Sequence, residues 1–403
     1  MKSEFRILFT GAGRRIELIQ AFRQAALTLG KNLKIFGADM AGDAPALVYC
    51  DYTRKVCGMR DDNYIPELLE ICKSDEIDLV IPTIDTDLLV LSENKQKFEA
   101  CGIKVLISAP DNIRICRDKN NTSQFFVDCG CKAPMPVNDW KEYNSGYPAF
   151  IKPKDGSSSI NAFKVENAEE LEVYAAQVED YIVQPFVDGT EYTVDAFCDF
   201  DGNPVYITPR VRLQVRAGEV LKTRIALDDT IIAESRNIIK GFKPVGPITI
   251  QLIRDDKTGD DYFIEINPRY GGGAPLSMKA GARSAETVLQ LLAGEEPIAH
   301  PVSDNAVYSR FDQSVCISEG DKNLPLKGVI FDLDDTLYSE KEYVRSGYSA
   351  VGNYLQNDGA VEKLWEYFVA GRPAIDAYLE EIGRTEEKAN CLRVYREHMP
   401  KVN

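Results

Sequence analysis

The sequence predicts a multidomain protein in which an α/β domain precedes an α+β domain. In residues 1–110, short apolar strands alternate with segments of helical periodicity, which is the pattern of a parallel sheet whose strands are joined by helices. In residues 111–300, apolar strands follow one another across polar turns, which is the pattern of antiparallel hairpins. A chain of 403 residues is long enough to give two or three domains a hydrophobic core each.

The N-terminal domain is predicted to contain a Rossmann-like parallel sheet. Its strands fall at residues 5–10, 33–38, 78–82 and 103–107. The first strand runs into Gly11–Gly13, which is half of a dinucleotide-binding fingerprint, because Arg14 and Ile16 occupy positions where further glycines are expected. An NAD site is therefore the weaker interpretation, and a tight turn that leads into a helix is the favoured one.

Composition excludes several classes of function. The net charge is −16 and the pI is about 4.8, so nucleic acid and anionic membranes are unfavourable partners. No apolar run approaches the ~20 residues that span a bilayer, and the first residues lack a signal-peptide profile. The ten cysteines lack zinc-site spacing, so we expect a cytoplasmic protein with reduced thiols. Only two histidines are present, His300 and His398, so the chemistry must rest on lysine, arginine, carboxylate and amide groups.

A metal site is predicted where two strands form a hairpin over residues 247–267. The second strand carries Glu265 and Asn267 two residues apart, so both side chains leave the same face. The first strand is apolar except for Gln251, which can face Glu265 across the hairpin. A carboxylate and an amide oxygen on one face suit a hard cation with oxygen ligands, Mg²⁺ first. Arg269 follows the second strand and is expected beside this site.

This hairpin, with the glycine turn at 271–273, resembles the metal-binding end of an ATP-grasp ligase. A glutamine as the first member of the set is similar to the synthetase halves of the carbamoyl-phosphate synthase large subunit. The resemblance covers about residues 1–300. It implies ATP and Mg²⁺ as cofactors, with Mn²⁺ as an alternative metal, and it implies that Arg269 and Arg210 steady the transferring phosphoryl group. The implied metal ligands are Gln251, Glu265 and Asn267.

A lysine in a third strand predicts a phosphate site. Lys152 lies within the apolar strand 148–153, and a buried lysine is costly unless an anion meets it. A loop of small residues follows, whose backbone N–H groups can surround phosphate oxygens. The candidate residues of this loop are Gly156, Ser157 and Ser158. A flexible hairpin turn is the alternative for the loop taken alone. The resemblance adds Lys119, at the start of a helix, as a second group that reaches the nucleotide phosphates.

The resemblance also implies how the adenosine part of ATP is bound. The strand 181–187 corresponds to the ATP-grasp hinge, whose backbone binds the adenine edge. The implied residues of the hinge are Gln184, Phe186 and Val187. Gln184 stands where the family usually has glutamate, so its side chain offers an amide oxygen to the adenine amino group. Glu191 follows the next turn and is placed to accept hydrogen bonds from the ribose hydroxyls, with an exposed strand acid as the alternative.

Three arginines recur two and four residues apart along a further strand pattern, at Arg210, Arg212 and Arg216. Three such cations on one face would repel one another unless anions lie between them, and arginine is suited to carboxylate and phosphate. We therefore expect Arg212 and Arg216 to contact substrate or phosphate. The alternative is that these arginines pair with acidic side chains of the protein itself.

A different motif lies towards the C-terminus. The order Asp-x-Asp-x-Thr-Leu over residues 332–337 resembles the first motif of haloacid dehalogenase (HAD) phosphatases. It implies Asp332 as nucleophile and Asp334 as general acid/base, with Mg²⁺ between them. Helical segments after residue 343 resemble the start of the cap of that superfamily. Its later motifs have no room in the remaining sequence, so we expect an incomplete and catalytically silent segment.

The resemblance implies an ATP-grasp carboxylate–amine ligase that phosphorylates a small carboxylate and transfers the acyl group to an amine. The expected segments are a Rossmann-like domain at 1–110, an ATP-grasp domain at 111–300, a linker at 301–326 and a HAD-like segment at 327–403. The expected partners are small molecules, without nucleic acid or membrane, and a homo-oligomer is left open. The rival functions are a Mg²⁺-dependent phosphatase at Asp332 and an ATP-binding regulator without ligase turnover.

Overall fold

The computed structural model describes residues 4–154, 161–216, 218–317, 340–357 and 359–398. Its contacts divide the chain into two compact units, Met1–Lys322 and Asn323–Asn403. Every described residue of the predicted nucleotide and metal site belongs to the first unit, so the fold of that unit determines the geometry of the site.

A five-stranded parallel sheet opens the first unit. Its strands are β1 (Glu4–Thr10), β2 (Asn32–Asp39), β3 (Tyr52–Lys55), β4 (Leu79–Pro82) and β5 (Lys104–Val105). Their spatial order is β3-β2-β1-β4-β5, so the strand order reverses between β1 and β4. The alternating pattern of the first 110 residues therefore correctly predicts a parallel α/β sheet.

Helices pack on both faces of this sheet. They are α1 (Ile16–Thr28), α2 (Tyr64–Ser74), α3 (Leu88–Glu93) and α4 (Lys95–Glu99). Ile7 and Phe9 share one core with α1, whereas Leu8 and Val80 share another with α2. Successive residues of β1 thus enter opposite cores, which explains why the strand reads as a continuous apolar run.

A three-stranded antiparallel sheet follows. Its strands are β6 (Ala149–Pro153), β7 (Phe163–Val165) and β8 (Tyr181–Pro185), with β6 between the other two. Ala149 and Ile151 of β6 enter a small core with Val183 of β8. Since strand side chains alternate, Phe150 and Lys152 leave the opposite face of β6.

A six-stranded sheet completes the first unit and contains the predicted metal hairpin. Its strands are β9 (Gly189–Cys198), β10 (Pro204–Arg216), β11 (Glu219–Ile225), β12 (Gly246–Asp255), β13 (Asp261–Asn267) and β14 (Val307–Ser309). The spatial order is β13-β12-β9-β10-β11-β14, and all the neighbouring strands pair antiparallel. The prediction that β12 and β13 form a hairpin is therefore correct.

The remaining helices of the first unit connect or cover these two sheets. They are α5 (Pro110–Arg117), α6 (Lys119–Asp128), α7 (Ala168–Ala175), α8 (Asp229–Phe242), α9 (Ala274–Lys279) and α10 (Ser284–Leu292). Phe126 of α6 and Phe242 of α8 lie in the core beneath the six-stranded sheet. Periodicity alone predicts one helix over residues 280–293, but the backbone leaves helical geometry at Gly281, whose φ is 124°. The helix therefore begins only at Ser284.

The second unit is helical where it is described. Its helices are α11 (Glu340–Leu355), α12 (Ala360–Val369), α13 (Ala374–Glu381) and α14 (Lys388–His398). Val351, Leu364 and Leu379 from three of these helices share one core. Among all the described helices of the chain, none has the length and apolar character that crossing a membrane requires.

Candidate active site

One face of the six-stranded sheet is polar. The strand register pairs Glu265 with Gln251, Gln251 with Thr193, and Thr193 with Arg210. Directly opposed residues leave the same face of a sheet, so these four side chains form one row across it. The residues that alternate with them along β9, β12 and β13 enter the apolar core that these strands share with α6 and α8. The alternation therefore gives the sheet one polar face and one apolar face, and the apolar face packs in the core.

Gln251 lies at the centre of the predicted metal set. Its Nε2 donates to Glu265 Oε2 at 3.2 Å, and its Oε1 accepts from Arg212 Nη1 at 2.8 Å. Asn267 is buried two residues further along β13. The predicted juxtaposition of Gln251 and Glu265 is therefore present in the structure.

The chemistry of this donor set fits a hard cation that also binds phosphate. One carboxylate and two amide side chains offer oxygen ligands, which Mg²⁺ prefers. In the part of the chain that the structure describes, no group of three or more His, Cys, Asp and Glu side chains is able to hold a metal ion. Mg²⁺ held by these residues would keep further coordination positions for water or for phosphate oxygens.

Lys152 extends the site from the three-stranded sheet. Desolvation lowers the pKa of Lys152 to about 8; the positive charge of Lys119 adds to this effect and the carboxylate of Glu265 opposes it. Charged groups of α6 and β13 are therefore near enough to Lys152 to influence its pKa. A polyphosphate beside these lysines would favour their charged forms.

Lys119 is held at the start of α6. The side chain of Asp118 caps this helix by accepting from the backbone N–H of Asn120 at 2.9 Å. Lys119 Nζ donates to the carbonyl oxygen of Lys154 at 3.0 Å, which joins α6 to the end of β6. The predicted phosphate loop begins just beyond this contact. Its candidate residues, Gly156, Ser157 and Ser158, lie outside the described residues.

The predicted adenine-binding segment forms an apolar wall beside Lys152. Gln184 is buried and pairs with Phe150 across β8 and β6. The ring centroids of Phe150 and Phe186 lie 6.1 Å apart, and Val187, which follows Phe186 in the chain, is buried. The backbone N–H of Phe186 donates to the carbonyl oxygen of Pro148 at 3.1 Å. Binding to adenine by these residues stays a prediction.

Two of the three arginines on β10 have acidic partners in the protein. Arg210 Nε donates to Asp195 Oδ2 at 2.7 Å, and both side chains are buried. Ser277 Oγ donates to the same oxygen at 2.7 Å. Arg216 is exposed and lies 2.9 Å from Asp312 Oδ1. Neighbouring segments therefore supply carboxylate partners for Arg210 and Arg216, as the alternative interpretation predicts. Contact of either arginine with phosphate or substrate stays a prediction.

Arg212 lies between the predicted ribose and metal groups. Its Nε is 3.3 Å from Glu191 Oε2, and its Nη1 bonds to Gln251. Glu191 is about half exposed, whereas Arg212 is largely buried. The position of Arg212 is compatible with contact to a bound nucleotide or substrate, which stays a prediction for this residue and for Glu191.

Arg269 links the metal hairpin to the parallel sheet. Its Nη2 lies 2.5 Å from Asp85 Oδ2, in the loop after β4, and its Nη1 donates to the carbonyl oxygen of Tyr270 at 3.2 Å. The Nε of Arg269 is buried and has no hydrogen-bond partner among the described residues. The end of β13 therefore faces the carboxyl ends of the parallel strands.

Two family models match consecutive parts of the chain. Residues 7–106 match a PylC-like N-terminal domain, and residues 116–273 match an ATP-grasp domain. The second match includes the polar row, Lys119, Lys152 and the metal hairpin described above. The chain carries an ATP-grasp domain.

Several known proteins resemble this chain. The carbamoyl phosphate synthase large chain of Thermomicrobium roseum is 25% identical over 219 residues, which are 48% of this chain and 20% of that protein. A biotin carboxylase structure from Campylobacter jejuni has a TM-score of 0.59 at 20% identity, covering 75% of this chain and 74% of the other. An N5-carboxyaminoimidazole synthetase structure from Staphylococcus aureus has a TM-score of 0.58 at 16% identity, covering 76% and 80%. The chain thus spans about a fifth of the length of the synthase that it matches, and the structural similarities show a shared fold.

These findings confirm the predicted ATP-grasp domain and support the predicted ligase class. They give no support to a HAD phosphatase, because neither family match extends beyond residue 273. Asp332 and Asp334 lie outside the described residues.

Sequence reasoning missed part of the charged surroundings of the site. Arg15, in the turn after β1, lies beside Arg269: burial lowers the pKa of Arg15, and the like charge of Arg269 lowers it further. Asp85 contacts Arg269, and Glu219 contacts Arg15 from the start of β11. The one available signal is that Asp85 follows β4 at the carboxyl edge of a parallel sheet, where such folds bind ligands.

Proposed function

We propose that this chain is an ATP-dependent carboxylate–amine ligase that acts through an acylphosphate. The observation that carries the proposal is the polar row of Glu265, Gln251, Thr193 and Arg210, which lies within the residues matched to an ATP-grasp domain. The similarity to known ligases supports this reaction class. The proposed functional segments are residues 1–110 and 111–300, with a linker at 301–326 and a separate segment at 327–403.

We assign a divalent cation, Mg²⁺ or Mn²⁺, to Gln251, Glu265 and Asn267, whose oxygen atoms fit its chemistry. When bound, such a cation neutralises negative charge on nucleotide phosphates. Lys152 and Lys119 are assigned to the phosphates for the same electrostatic reason.

Two arginines are assigned to the transferring phosphoryl group. The Nε atom of Arg269 and the Nη1 atom of Arg210 are buried, and neither has a hydrogen-bond partner among the described residues. Arg210 is held in place by Asp195, so its guanidinium group is positioned before any ligand binds. Fixed donors of this kind stabilise developing charge without reorganising during the reaction.

The proposed reaction has two steps. A carboxylate oxygen of the substrate forms a bond to the γ-phosphorus of ATP while the bond from this phosphorus to its bridging oxygen breaks, and ADP leaves with the electron pair. The amine nitrogen then bonds to the acyl carbon, phosphate leaves with its electron pair, and the nitrogen loses one proton. Positioning and charge stabilisation are sufficient for this chemistry, which explains how a site without histidine would work.

The test measures ADP release with MgATP and a panel of small carboxylates, with hydroxylamine present to trap any acylphosphate as a hydroxamate. We expect Glu265→Gln to lower turnover by about 100-fold or more, because it removes the single carboxylate of the metal set. The matched control is Asp256→Asn, which neutralises an exposed acid in the same hairpin. Circular dichroism would show that both variants are folded. Wild-type turnover in Glu265→Gln would refute the assignment of the metal site.

A further inference from the structure

We infer that the crevice between β1 and β4 binds the carboxylate substrate as an α-amino acid zwitterion, with Arg15 and Arg269 on its carboxylate and Asp85 on its ammonium group. This inference rests on the proposed ligase function and adds the class of substrate and the residues that select it.

The topology of the parallel sheet places these residues together. Open α/β sheets bind ligands outside the carboxyl ends of their strands, at the point where the strand order reverses. Here the order reverses between β1 and β4. Arg15 follows β1, and Asp85 follows β4, so the two residues stand on either side of this point. Arg269 arrives from the metal hairpin and contacts Asp85 at 2.5 Å.

The charges around the crevice are balanced, which favours a ligand with both signs of charge. Two guanidinium groups, of Arg15 and Arg269, are 20% and 13% exposed, whereas the carboxylates of Asp85 and Glu219 are 41% and 51% exposed. The cations are therefore buried deeper than the anions. A simple anion would satisfy only half of these groups, whereas a zwitterion is complementary to both halves.

The described residues satisfy each of the two guanidinium groups only in part. Arg15 Nη1 lies 3.7 Å from Glu219 Oε1, which is too far for a hydrogen bond, and Arg269 Nε is buried without a partner among the described residues. Burial lowers the pKa of Arg15, and the like charge of Arg269 lowers it further. A carboxylate between them would relieve this repulsion and accept hydrogen bonds from both. It would lie at the end of β13, beside the proposed phosphoryl-transfer site.

Asp85 is suited to the ammonium group. It uses Oδ2 for Arg269, and the exposure of its side chain leaves a second oxygen that is able to accept from a ligand. An ammonium group and a carboxylate on the same carbon atom are close enough to contact neighbouring side chains. The zwitterion would therefore place its carboxylate toward the metal hairpin and its ammonium toward the loop after β4.

A purely structural role for these residues makes a different prediction. Arg310 pairs with Glu17 at 2.9 Å and with Glu219 at 3.4 Å in the same region, so ion pairs do join these segments. Arg15, Asp85 and Arg269 could serve only to hold the parallel sheet against the ATP-grasp domain. In that case, their substitution would lower kcat/KM for all substrates equally. Discrimination between substrates with and without an ammonium group is therefore the decisive readout.

The experiment uses the full chain with MgATP, hydroxylamine and the 20 common L-α-amino acids, each beside the 2-hydroxy acid with the same side chain. We expect hydroxamate from at least one amino acid, with kcat/KM at least about 100-fold above that of its hydroxy analogue, because the site is built to pair an ammonium group. Asp85→Asn should lower kcat/KM for the amino acid by about 10- to 100-fold and change that for the hydroxy acid by less than about threefold.

Arg15→Gln should raise KM for both compounds by about tenfold or more, while the Kd for MgATP stays unchanged. Arg15→Lys keeps the charge and should recover part of this loss. The matched controls are Asp111→Asn and Arg23→Gln, which remove surface charges that pair with Arg114 and Asp51 away from the crevice. Both controls should retain the wild-type preference.

Three outcomes would overturn the inference. An equal loss for amino and hydroxy acids in Asp85→Asn would assign the residue to a structural ion pair. Turnover of plain monocarboxylates in preference to every amino acid would agree with the ligase function and would refute the inference that the substrate is a zwitterion. Tight MgATP binding without hydroxamate from any carboxylate would refute the ligase function and the inference with it.

Discussion

At the scale of single residues, the surroundings of Lys152 lower its pKa and affect the stability of the folded state. Desolvation lowers the pKa of Lys152 from 10.5 to about 8, so a protonated Lys152 destabilises the folded state at any pH below about 8. This penalty fades as the pH rises from about 8 to 10.5, because the folded protein then releases the proton that the unfolded chain retains. An anion at Lys152 would offset the penalty.

The shifted pKa of Lys152 predicts proton uptake when ATP binds. Phosphate beside the lysine favours its charged form, so the bound pKa should rise and about 0.9 proton should be taken up per ATP at pH 9. At pH 6.5 the lysine is already protonated, and uptake by this residue should approach zero. Titration calorimetry in two buffers of different ionisation enthalpy measures the uptake.

The control for this prediction is Lys141→Met, which removes an exposed lysine next to Trp140 and should leave uptake unchanged. Lys152→Met should abolish it. Uptake at pH 9 that persists in Lys152→Met would show that another group supplies the effect.

The residues of the site differ in how far sequence could predict them. Gln251 and Glu265 belong to one hairpin, so their juxtaposition follows from a turn and an alternation that are visible locally. Asp85 and Arg269 lie 184 positions apart, and only the packing of two domains brings them together. Asp195 likewise meets Arg210 through strand pairing that no local pattern specifies. Long-range partners are therefore the part of the site that sequence reasoning missed.

At the scale of elements, the glycine turn after β13 allows side chains from other strands to reach the site. A Cβ atom on Gly273 would overlap the Nη2 of Arg210, and one on Gly272 would overlap the carboxylate of Glu219. The turn therefore has no side chains because other groups occupy that space. The two positions differ, since Arg210 is buried and paired, whereas the side chain of Glu219 is about half exposed.

This difference predicts unequal effects of adding a methyl group. Gly273→Ala should destabilise the first unit by about 1–3 kcal/mol, because Arg210 is unable to move without breaking its buried ion pair with Asp195. Gly272→Ala should change stability by no more than about 0.5 kcal/mol, because Glu219 is able to rotate into solvent. Urea unfolding followed by circular dichroism measures both. Equal destabilisation by the two substitutions would show that the turn itself, rather than the groups packed on it, sets the requirement.

Elements with a strong local pattern were predictable, and those shaped by their neighbours were less so. The parallel strands and the β12–β13 hairpin follow from hydrophobic runs and turn residues. The helix predicted over 280–293 begins only at Ser284, because the sequence pattern does not show the turn at Gly281. On β10, the arginines appeared to need external anions because the local sequence does not show that β9 lies alongside with Glu191 and Asp195.

At the scale of the whole molecule, the two compact units have separate hydrophobic cores. The first unit contains the two cores of the parallel sheet and those of the other two sheets, and the second contains the core of α11–α14. All of the described residues assigned to nucleotide, metal and substrate lie in the first unit. A ligand stabilises the part of a protein to which it binds, so MgATP should act on one unit.

We therefore predict that scanning calorimetry separates two unfolding transitions and that MgATP raises the midpoint of the larger one only. At a ligand concentration 100 times Kd, binding contributes about 2.7 kcal/mol, which for a unit of 322 residues corresponds to an increase on the order of 4 °C. Lys152→Met should remove most of this shift, which assigns the responsive transition to the unit that contains the ATP-grasp domain. Equal shifts in both transitions would mean that residues 323–403 take part in nucleotide binding, and a single transition would mean that the two cores unfold together. Either result would contradict the assignment of the nucleotide to the first unit as an independently stabilised part of the chain.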